Sequence, residues 1–222
     1  MGRTRGLIPE KSPQAAIDST GYEAGHTSPY YGRVCGLRKS HYPKLTAVCD
    51  TKAHMYTSAV ANQGPFPDHR EFAAAVLAGY GNQPFDEILA DAGYDAEHHH
   101  QLVREVLGAT SVIAPNAGRP SSKLPLGRYR REMVERFPKE RFGQRWQVES
   151  SFSQDKRRFG SFVSGRSYWS RCRNLLLRVL VHNAAIIRRL ACREGFNRAR
   201  QTTISFYSCS PHNQGESRDI SN

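Results

Sequence analysis

Residues 142–156 read Phe-Gly-Gln-Arg-Trp-Gln-Val-Glu-Ser-Ser-Phe-Ser-Gln-Asp-Lys. At about 100° per residue, Phe142, Arg145, Glu149 and Lys156 fall within roughly 60° of one another on a helical wheel. One face of the predicted helix therefore carries an aromatic ring, a guanidinium, a carboxylate and an ammonium group. A solvated helix has no reason to align these four types. A site in which Glu149 holds a metal ion and the two cations bind phosphate does have such a reason.

The charge of the chain points to a polyanionic partner. Its 222 residues carry a formal net charge of +12, and the pI is near 9.8. The excess is uneven, because residues 156–200 hold twelve Lys and Arg against one acid, whereas the first 155 residues are close to neutral. Nucleic acid is the first expectation for such a chain and an anionic membrane surface the second.

The cysteines and the N-terminus indicate the compartment. The five cysteines are odd in number and scattered without a CxxC pair, which argues against a zinc ribbon or a disulfide framework. No apolar run approaches the length of a membrane span, and the N-terminal residues lack the apolar core of a signal peptide. We therefore expect a cytoplasmic protein without a membrane partner.

The hydrophobic pattern predicts alternating strands and helices. The predicted strands are 15–21, 44–50, 56–61, 85–91 and 112–115, and the predicted helices are 69–77, 96–107, 128–137, 139–158 and 170–193. The first three strands have short connections, and the later ones are joined by helices. This order predicts the α/β class, a mixed sheet of about five strands flanked by helices. It resembles the ribonuclease-H-like fold. Residues 1–14 are expected to form a flexible lead, 15–195 the folded domain and 196–222 a polar, disordered tail.

Two aspartates end short apolar strands. Asp18 lies in Ile-Asp-Ser-Thr, and Asp91 lies in Leu-Ala-Asp-Ala-Gly-Tyr-Asp. An unpaired buried charge is costly, so a carboxylate at such a position needs a reason. Each one either bonds turn amides at the end of its strand or serves a site.

Three motifs together resemble the bacterial insertion-sequence transposases of the DDE class. The family signature is Tyr, two residues, Arg, three residues, Glu, six residues and Lys, and here Phe142 stands in place of the Tyr. Asp18 and Asp91 occupy contexts similar to those of the family's first and second catalytic aspartates. The resemblance covers roughly residues 15–189, and the family shares the ribonuclease-H-like fold.

The resemblance implies a metal-dependent reaction on DNA. Asp18, Asp91 and Glu149 would be the catalytic residues and would hold two Mg²⁺ ions, about 3.5–4 Å apart, for which Mn²⁺ can substitute. Asp18 would bridge both ions. The transposase would cut DNA strands beside a mobile element and join the freed 3′-hydroxyl to target DNA, as a homodimer on DNA in the prokaryotic cytoplasm and nucleoid.

The remaining signature residues would contact DNA. Arg145 and Lys156 would hold DNA phosphates, the Arg as a two-pronged donor and the Lys as a point charge. Phe142 can pack or stack, but it lacks the hydroxyl of the family's Tyr.

Two other functions remain open. One is an inactive transposase remnant that only binds DNA, and the other is a cellular ribonuclease-H-like nuclease. Transposases of this kind have a DNA-binding region ahead of the first aspartate, and seventeen residues precede Asp18 here. That length predicts a truncated copy, one product of a split reading frame, or a misassigned start.

Further residues attract attention for their chemical type. The triplet His98–His100 is predicted to be a solvated surface, since consecutive helical side chains point about 100° apart and cannot converge on one ion. Asp50 and Asp95 are expected in turn or cap roles, with a place beside the metal site as the alternative for Asp95. Asp68 is the predicted N-cap of the helix at 69–77, with Glu71 completing a capping box.

Aromatic and basic residues near the signature have two readings each. Trp146 and Phe152 are expected to pack in the core, with base stacking as the alternative. The arginines of helix 170–193 have almost no acidic partners, which favours contact with the DNA backbone over a solvated face.

Overall fold

The computed structural model describes residues 8–24, 34, 41–116 and 124–207, with side chains as far as residue 193. The chain divides into two compact units, Met1–Ile186 and Ile187–Asn222. The first unit contains the whole sheet, and the second contains the C-terminal part of the last helix. Residues 1–7 of the predicted lead and 208–222 of the predicted tail lie outside the described residues.

Five strands form one mixed sheet. They are β1 (Ala15–Gly21), β2 (Tyr42–Asp50), β3 (Tyr56–Gly64), β4 (Glu87–Ala90) and β5 (Thr110–Ile113). The spatial order is β3-β2-β1-β4-β5. The pairs β1–β2 and β2–β3 are antiparallel, whereas β1–β4 and β4–β5 are parallel. The predicted α/β class is confirmed, and the sheet is that of a ribonuclease-H-like fold.

The helices break at Pro138 as predicted, but the predicted helix 139–158 is also divided at residues 143–145. They are α1 (Phe72–Asn82), α2 (Glu97–Gln101), α3 (Arg128–Glu135), α4 (Lys139–Phe142), α5 (Trp146–Phe159) and α6 (Tyr168–Tyr207), and α2 continues as a π-helical turn over Leu102–Val106. Pro138 separates α3 from α4, as expected of a residue that lacks a backbone N–H. A 3₁₀ turn, Gly143–Arg145, joins α4 to α5. None of the helices within the described ranges combines the length and apolar character needed to cross a membrane.

Hydrophobic cores cover both faces of the sheet. Because side chains alternate along a strand, Ile17 of β1 faces one core and Ala16 faces the other. The Ile17 side is closed by α1 and by the segment that contains Tyr94. The Ala16 side is closed by α5 through Val148 and Phe152, together with the N-terminal half of α6. This packing places α5, and with it Glu149, against β1.

The N-terminal residues that the structure describes are attached to the sheet. Ser12 is fully buried and pairs with Phe85 ahead of β4, and Lys11 forms an ion pair with Asp86. Residues 11 and 12 of the predicted lead therefore belong with the sheet. At the other end, the α6 backbone extends to Tyr207, beyond the predicted end of this helix at residue 193.

The prediction of a solvated histidine surface is wrong for two of the three residues. His99 and His100 are buried, and only His98 is exposed. The His99 ring stacks on Phe72 at 4.1 Å, and its Nδ1 bonds the carbonyl of Tyr94 at 2.8 Å. Helical geometry excludes convergence on one ion, but it does not decide which faces of α2 other elements cover.

Two predictions about local roles also fail. Asp68 opens a 3₁₀ turn, Asp68–Glu71, without a capping hydrogen bond, and instead forms an ion pair with Lys44. Glu71 accepts a hydrogen bond from Asn62, so no capping box forms. Trp146 is 53% exposed, so the prediction of core packing fails for it but is confirmed for its partner Phe152.

Candidate active site

The register between β1 and β4 sets the first two predicted acids side by side. Ala15 pairs with Ile88 and Ala16 with Leu89 in a parallel ladder. Two more residues along each strand bring Asp18 level with Asp91, which follows β4 directly. Neighbouring strands lie about 4.8 Å apart, so the two carboxylates extend from adjacent strands at one height.

Each aspartate also bonds a turn or strand amide. Asp18 Oδ1 accepts the backbone N–H of Ser19 at 2.8 Å, and Asp91 Oδ1 accepts that of Gly93 at 2.9 Å. The bond to Gly93 fixes the start of the turn Ala92–Tyr94. Ser19 in turn shares a hydrogen bond with the Tyr94 hydroxyl at 2.8 Å, so the loop after β4 is held to β1. The strand-end role and the site role are therefore compatible.

Arg145 connects the third acid to the first. Its Nη2 lies 2.5 Å from Glu149 Oε1, and its Nη1 lies 3.5 Å from Asp18 Oδ2. The Arg145 side chain is 20% exposed, whereas that of Glu149 is 50% exposed. The guanidinium therefore lies between the two carboxylates and compensates part of their charge.

The electrostatics show that the three acids share one environment. Burial raises the pKa of Asp18 to about 6, the Ser19 amide and Arg145 oppose that rise, and the charges of Asp91 and Glu149 add to it. A cation placed beside a carboxylate whose pKa is raised by burial and by like charges stabilises its charged form. Arg145 provides part of this stabilisation.

Lys156 lies further along α5 than Glu149 and contacts β1, the strand that carries Asp18. Its Nζ donates to Thr20 Oγ1 at 2.7 Å and lies 5.0 Å from the centre of the Tyr22 ring. Burial lowers the pKa of the Lys156 ammonium. The predicted alignment of Arg145, Glu149 and Lys156 therefore brings all three toward the second half of β1 and its end.

Phe142 lies at the edge of this group and packs. Its ring centre is 4.9 Å from that of Phe137 and 5.7 Å from the Arg145 guanidinium carbon. It joins the core on the α5 side of the sheet as a partly buried member. The Phe142 ring packs beside the Arg145 guanidinium, and this contact does not need the hydroxyl of a Tyr.

The donor chemistry suits a hard divalent cation. Three carboxylates supply the oxygen ligands that Mg²⁺ prefers. Burial raises the pKa of Asp18, and the charges of Asp91 and Glu149 raise it further. As positioned, however, no group of three or more His, Cys, Asp or Glu among the described residues could hold a metal ion. Glu149, the third of these acids, instead forms an ion pair with Arg145.

Sequence reasoning missed a buried polar network behind α5. Asp155 is 1% exposed, and it bonds His182 Nδ1 at 2.7 Å and the Tyr56 hydroxyl at 2.9 Å. Asn183 exchanges two hydrogen bonds with the Tyr56 backbone. The available signal was Asn183 itself, a polar residue within the apolar repeat of the last helix. The network fixes α5 to α6 and to β3.

The other acids singled out from sequence have structural partners. Asp50 is buried and accepts the backbone N–H groups of Lys52 and Ala53, which confirms its turn role. Asp95 binds Arg130 through two hydrogen bonds of 2.8 Å, and Arg130 and the Asn116 amide lower its pKa. Asp95 therefore fastens the start of α3 to the loop after β4.

Two arginines of α6 are engaged within the protein. Arg178 donates to the carbonyls of Gly160 and Phe162 at 2.7 and 2.6 Å, and Arg171 donates to that of Gly165 at 2.8 Å. Their first role is to hold the loop between α5 and α6.

The sheet order and the three acids on β1, after β4 and on α5 define a ribonuclease-H-like protein with a candidate acidic centre. Comparison with protein families matches residues 9–184 to the Transposase DDE domain, and the chain belongs to this family. The match includes Asp18, Asp91 and all four signature residues. A search of curated proteins gives no match. Membership of the family implies a nuclease or transposase enzyme that acts on DNA.

Proposed function

We propose that this chain is a DNA transposase that cuts DNA at the ends of an insertion sequence and joins the freed 3′-hydroxyl to target DNA. The observation that carries the proposal is the level placement of Asp18 and Asp91 on adjacent parallel strands, with Glu149 linked to Asp18 through Arg145. Family membership supplies the DNA substrate.

Asp18, Asp91 and Glu149 would hold two Mg²⁺ ions, or Mn²⁺ in their place. Such ions activate water or a 3′-hydroxyl and stabilise charge on the leaving oxygen. Asp18 suits the shared position because it interacts electrostatically with both of the other acids, whose charges each raise its pKa. The same residues are the proposed catalytic residues.

Arg145 and Lys156 would bind the phosphates beside the cut. To bind a phosphate, Arg145 would exchange its ion pair with the half-exposed Glu149 carboxylate for an ion pair with the phosphate. A guanidinium binds a phosphate through two parallel hydrogen bonds, as it binds a carboxylate. Lys156 supplies a second positive charge at the end of β1. Phe142 positions Arg145 by packing, and no direct DNA contact is required of it.

We further propose that the protein acts as a homodimer on DNA, in the cytoplasm and on the nucleoid of a prokaryote. The basic composition supports binding to a polyanion of this kind.

The test is metal-dependent cleavage of a duplex that carries the element's own ends. We expect nicking and joining with Mg²⁺ or Mn²⁺, and expect Glu149→Gln to abolish both while leaving DNA affinity within twofold. Glu140→Gln is the matched control, because Glu140 is an exposed acid on α4. Its activity should equal that of the wild type.

A remnant that only binds DNA is the second candidate. Two observations favour it. Arg145 forms an ion pair with Glu149, and the described parts of the chain contain no group of three or more His, Cys, Asp or Glu positioned to hold a metal ion. If wild type and Glu149→Gln bind element-end DNA equally and neither cuts it with either metal, the remnant is the correct function.

A further inference from the structure

A cavity of about 380 Å³ lies at the free edge of β5, and three arginines line it. Arg104 comes from the π-helical turn after α2, Arg136 from the end of α3 and Arg141 from α4. Among the residues that the structure describes, Glu132 is the one acid in the lining, and Thr110 and Val112 form the wall on the strand side. We call this cavity the arginine pocket.

The arginine pocket is separate from the candidate active site. The strand residues of its wall, Thr110 and Val112, pair with Glu87 and Leu89 of β4, whereas Asp91 follows the end of that strand. At about 3.3 Å per residue, these two pairs lie about 13 and about 7 Å from the level of Asp91 along the strands. Val112 belongs to the core that α5 closes, so the pocket and α5 share one face of the sheet.

One arginine of the pocket is held rigidly. Arg104 Nε donates to Ser111 Oγ at 2.8 Å, its Nη1 donates to Glu132 at 2.7 Å, and its guanidinium carbon lies 4.8 Å from the Tyr129 ring centre. The Arg104 side chain is 17% exposed. These contacts balance the one acid of the pocket and fix the guanidinium before any ligand arrives.

The other two arginines keep donors for a ligand. Arg141 bonds Glu87 through Nη1 alone, at 2.7 Å, and its side chain remains 56% exposed. Arg136 is exposed and makes no ion pair with any residue that the structure describes. Glu132 compensates Arg104 and Glu87 compensates Arg141, so Arg136 supplies the positive charge in excess, within walls that exclude part of the solvent and strengthen its field.

We propose that the arginine pocket binds a backbone phosphate of DNA at a distance from the cleavage centre. Guanidinium groups from three elements line one cavity, and a guanidinium can donate parallel hydrogen bonds to the oxygens of a phosphate. The three nitrogens of Arg104 already bond Ser111 and Glu132, so Arg136 and the remaining nitrogens of Arg141 would supply the donors to the ligand. The proposal rests on the proposed function, which supplies DNA as the substrate. It adds a contact that would set the direction in which the duplex leaves the acidic centre.

The test compares Arg136→Gln with Arg131→Gln in the full chain. Arg131 is an exposed arginine of α3 and Arg136 is an exposed arginine that directly follows this helix; both changes remove one charge, and Arg131 lies outside the pocket. Binding to a duplex with the element's ends is measured from 50 to 200 mM salt. We expect Arg136→Gln to lower affinity several-fold at low salt and to reduce the salt slope by about one, and Arg131→Gln to leave both unchanged.

A second arm uses inorganic phosphate as the probe, with thermal unfolding as the readout. A DNA phosphate and a free phosphate are distinguished because only a contact with DNA makes Arg136→Gln change the salt dependence of duplex binding. Equal slopes for wild type and Arg136→Gln would overturn the proposal, as would equal losses in the two variants. Stabilisation by phosphate that Arg136→Gln removes, with duplex affinity unchanged, would assign the pocket to a free anion instead.

The outcomes also separate the pocket from the proposed function. If the wild type binds no duplex at any salt concentration, both are wrong. If it binds and cuts DNA while Arg136→Gln behaves as the wild type, only the arginine pocket is wrong.

Discussion

Arg145 contacts two of the three acids that a metal-dependent nuclease needs. Its Nη2–Glu149 distance of 2.5 Å is shorter than its 3.5 Å distance to Asp18, and burial still raises the Asp18 pKa to about 6. A cation so placed stabilises the site without metal. Because it is a positive charge beside the proposed ligands, it must also oppose the arrival of another one.

We predict that Arg145→Gln binds Mn²⁺ more tightly than the wild type but cuts DNA more slowly. Removal of the competing charge should tighten metal binding by about tenfold, which corresponds to about 1.4 kcal/mol. Loss of the phosphate contact should slow cleavage. Calorimetric titration with Mn²⁺ measures the first effect without any need for activity.

Arg157→Gln is the control for this prediction, since Arg157 is an exposed arginine on α5, the helix that directly follows Arg145. It should bind Mn²⁺ as the wild type does. Unchanged Mn²⁺ affinity in Arg145→Gln would show that the guanidinium does not compete with the metal.

At the scale of elements, α2 depends on histidines that stay neutral. His100 is fully buried, its Nδ1 lies 2.7 Å from Ser111 Oγ, and its Nε2 has no hydrogen-bond partner in the described structure. Burial and the nearby Arg104 lower the pKa of His100 to about 4. The folded protein therefore binds this proton only at a lower pH than the unfolded chain does.

This shift predicts acid destabilisation between pH 6.5 and pH 4. Above that window neither state binds the proton, and the stability is fully present. As pH falls through the window, the unfolded state binds the proton first, so the free energy of unfolding decreases by about 3 kcal/mol at most. Urea unfolding at pH 7 and pH 4.5 measures the loss.

His100→Phe should show a smaller loss between the two pH values, although it is less stable at both because Ser111 loses a partner. His98→Gln, at the exposed position of the triplet, should lose as much as the wild type. An equal pH effect in His100→Phe and the wild type would assign the acid sensitivity to other groups.

The helix that carries Glu149 is fixed by the Asp155 network. Asp155 accepts hydrogen bonds from His182 and the Tyr56 hydroxyl, and a buried polar group left without its partner typically costs about 1–3 kcal/mol. We therefore predict that Asp155→Ala destabilises the protein by about 1–3 kcal/mol for each of these two groups. Cleavage should decline as well, since α5 loses its bonds to His182 and Tyr56.

A double-mutant cycle checks this prediction. Asp155→Ala/His182→Ala should be destabilised by less than the sum of the single variants, because the two side chains act as one unit. Ser153→Ala, at an exposed position on α5, serves as the control and should stay within about 0.5 kcal/mol of the wild type. Additive effects would contradict the assignment.

For the molecule as a whole, local patterns were sufficient to predict the five strands and the break at Pro138. Period-two and period-3.6 repeats report which face of an element is buried, and the short connections limit the order of strands. The DDE signature proposes Arg145, Glu149 and Lys156 as site residues, and their roles stay predictions.

What could not be predicted depends on contacts between distant segments. The register that sets Asp18 level with Asp91 joins strands more than 60 residues apart. The bridge from Arg145 to Asp18 and the burial of His99 and His100 depend on which element covers which face. Periodicity does not contain that information, and the histidine prediction failed for this reason.

The position of β1 at the centre of the sheet makes a prediction about the stability of the whole fold. Ala15, Ala16 and Ile17 are fully buried, and β1 pairs with β2 on one side and β4 on the other. β3 is an edge strand, and most of its residues are only partly buried.

Amides of β1 should exchange with solvent only through global unfolding, whereas amides on the open side of β3 should exchange at least about tenfold faster through local opening. Hydrogen exchange in low concentrations of urea measures both: the β1 rates should rise steeply with urea and the β3 rates should hardly change, since global opening exposes far more surface. If β1 exchanged as fast as β3 and with as weak a dependence on urea, the strand that holds Asp18 would not be the stable centre on which the proposed site is built.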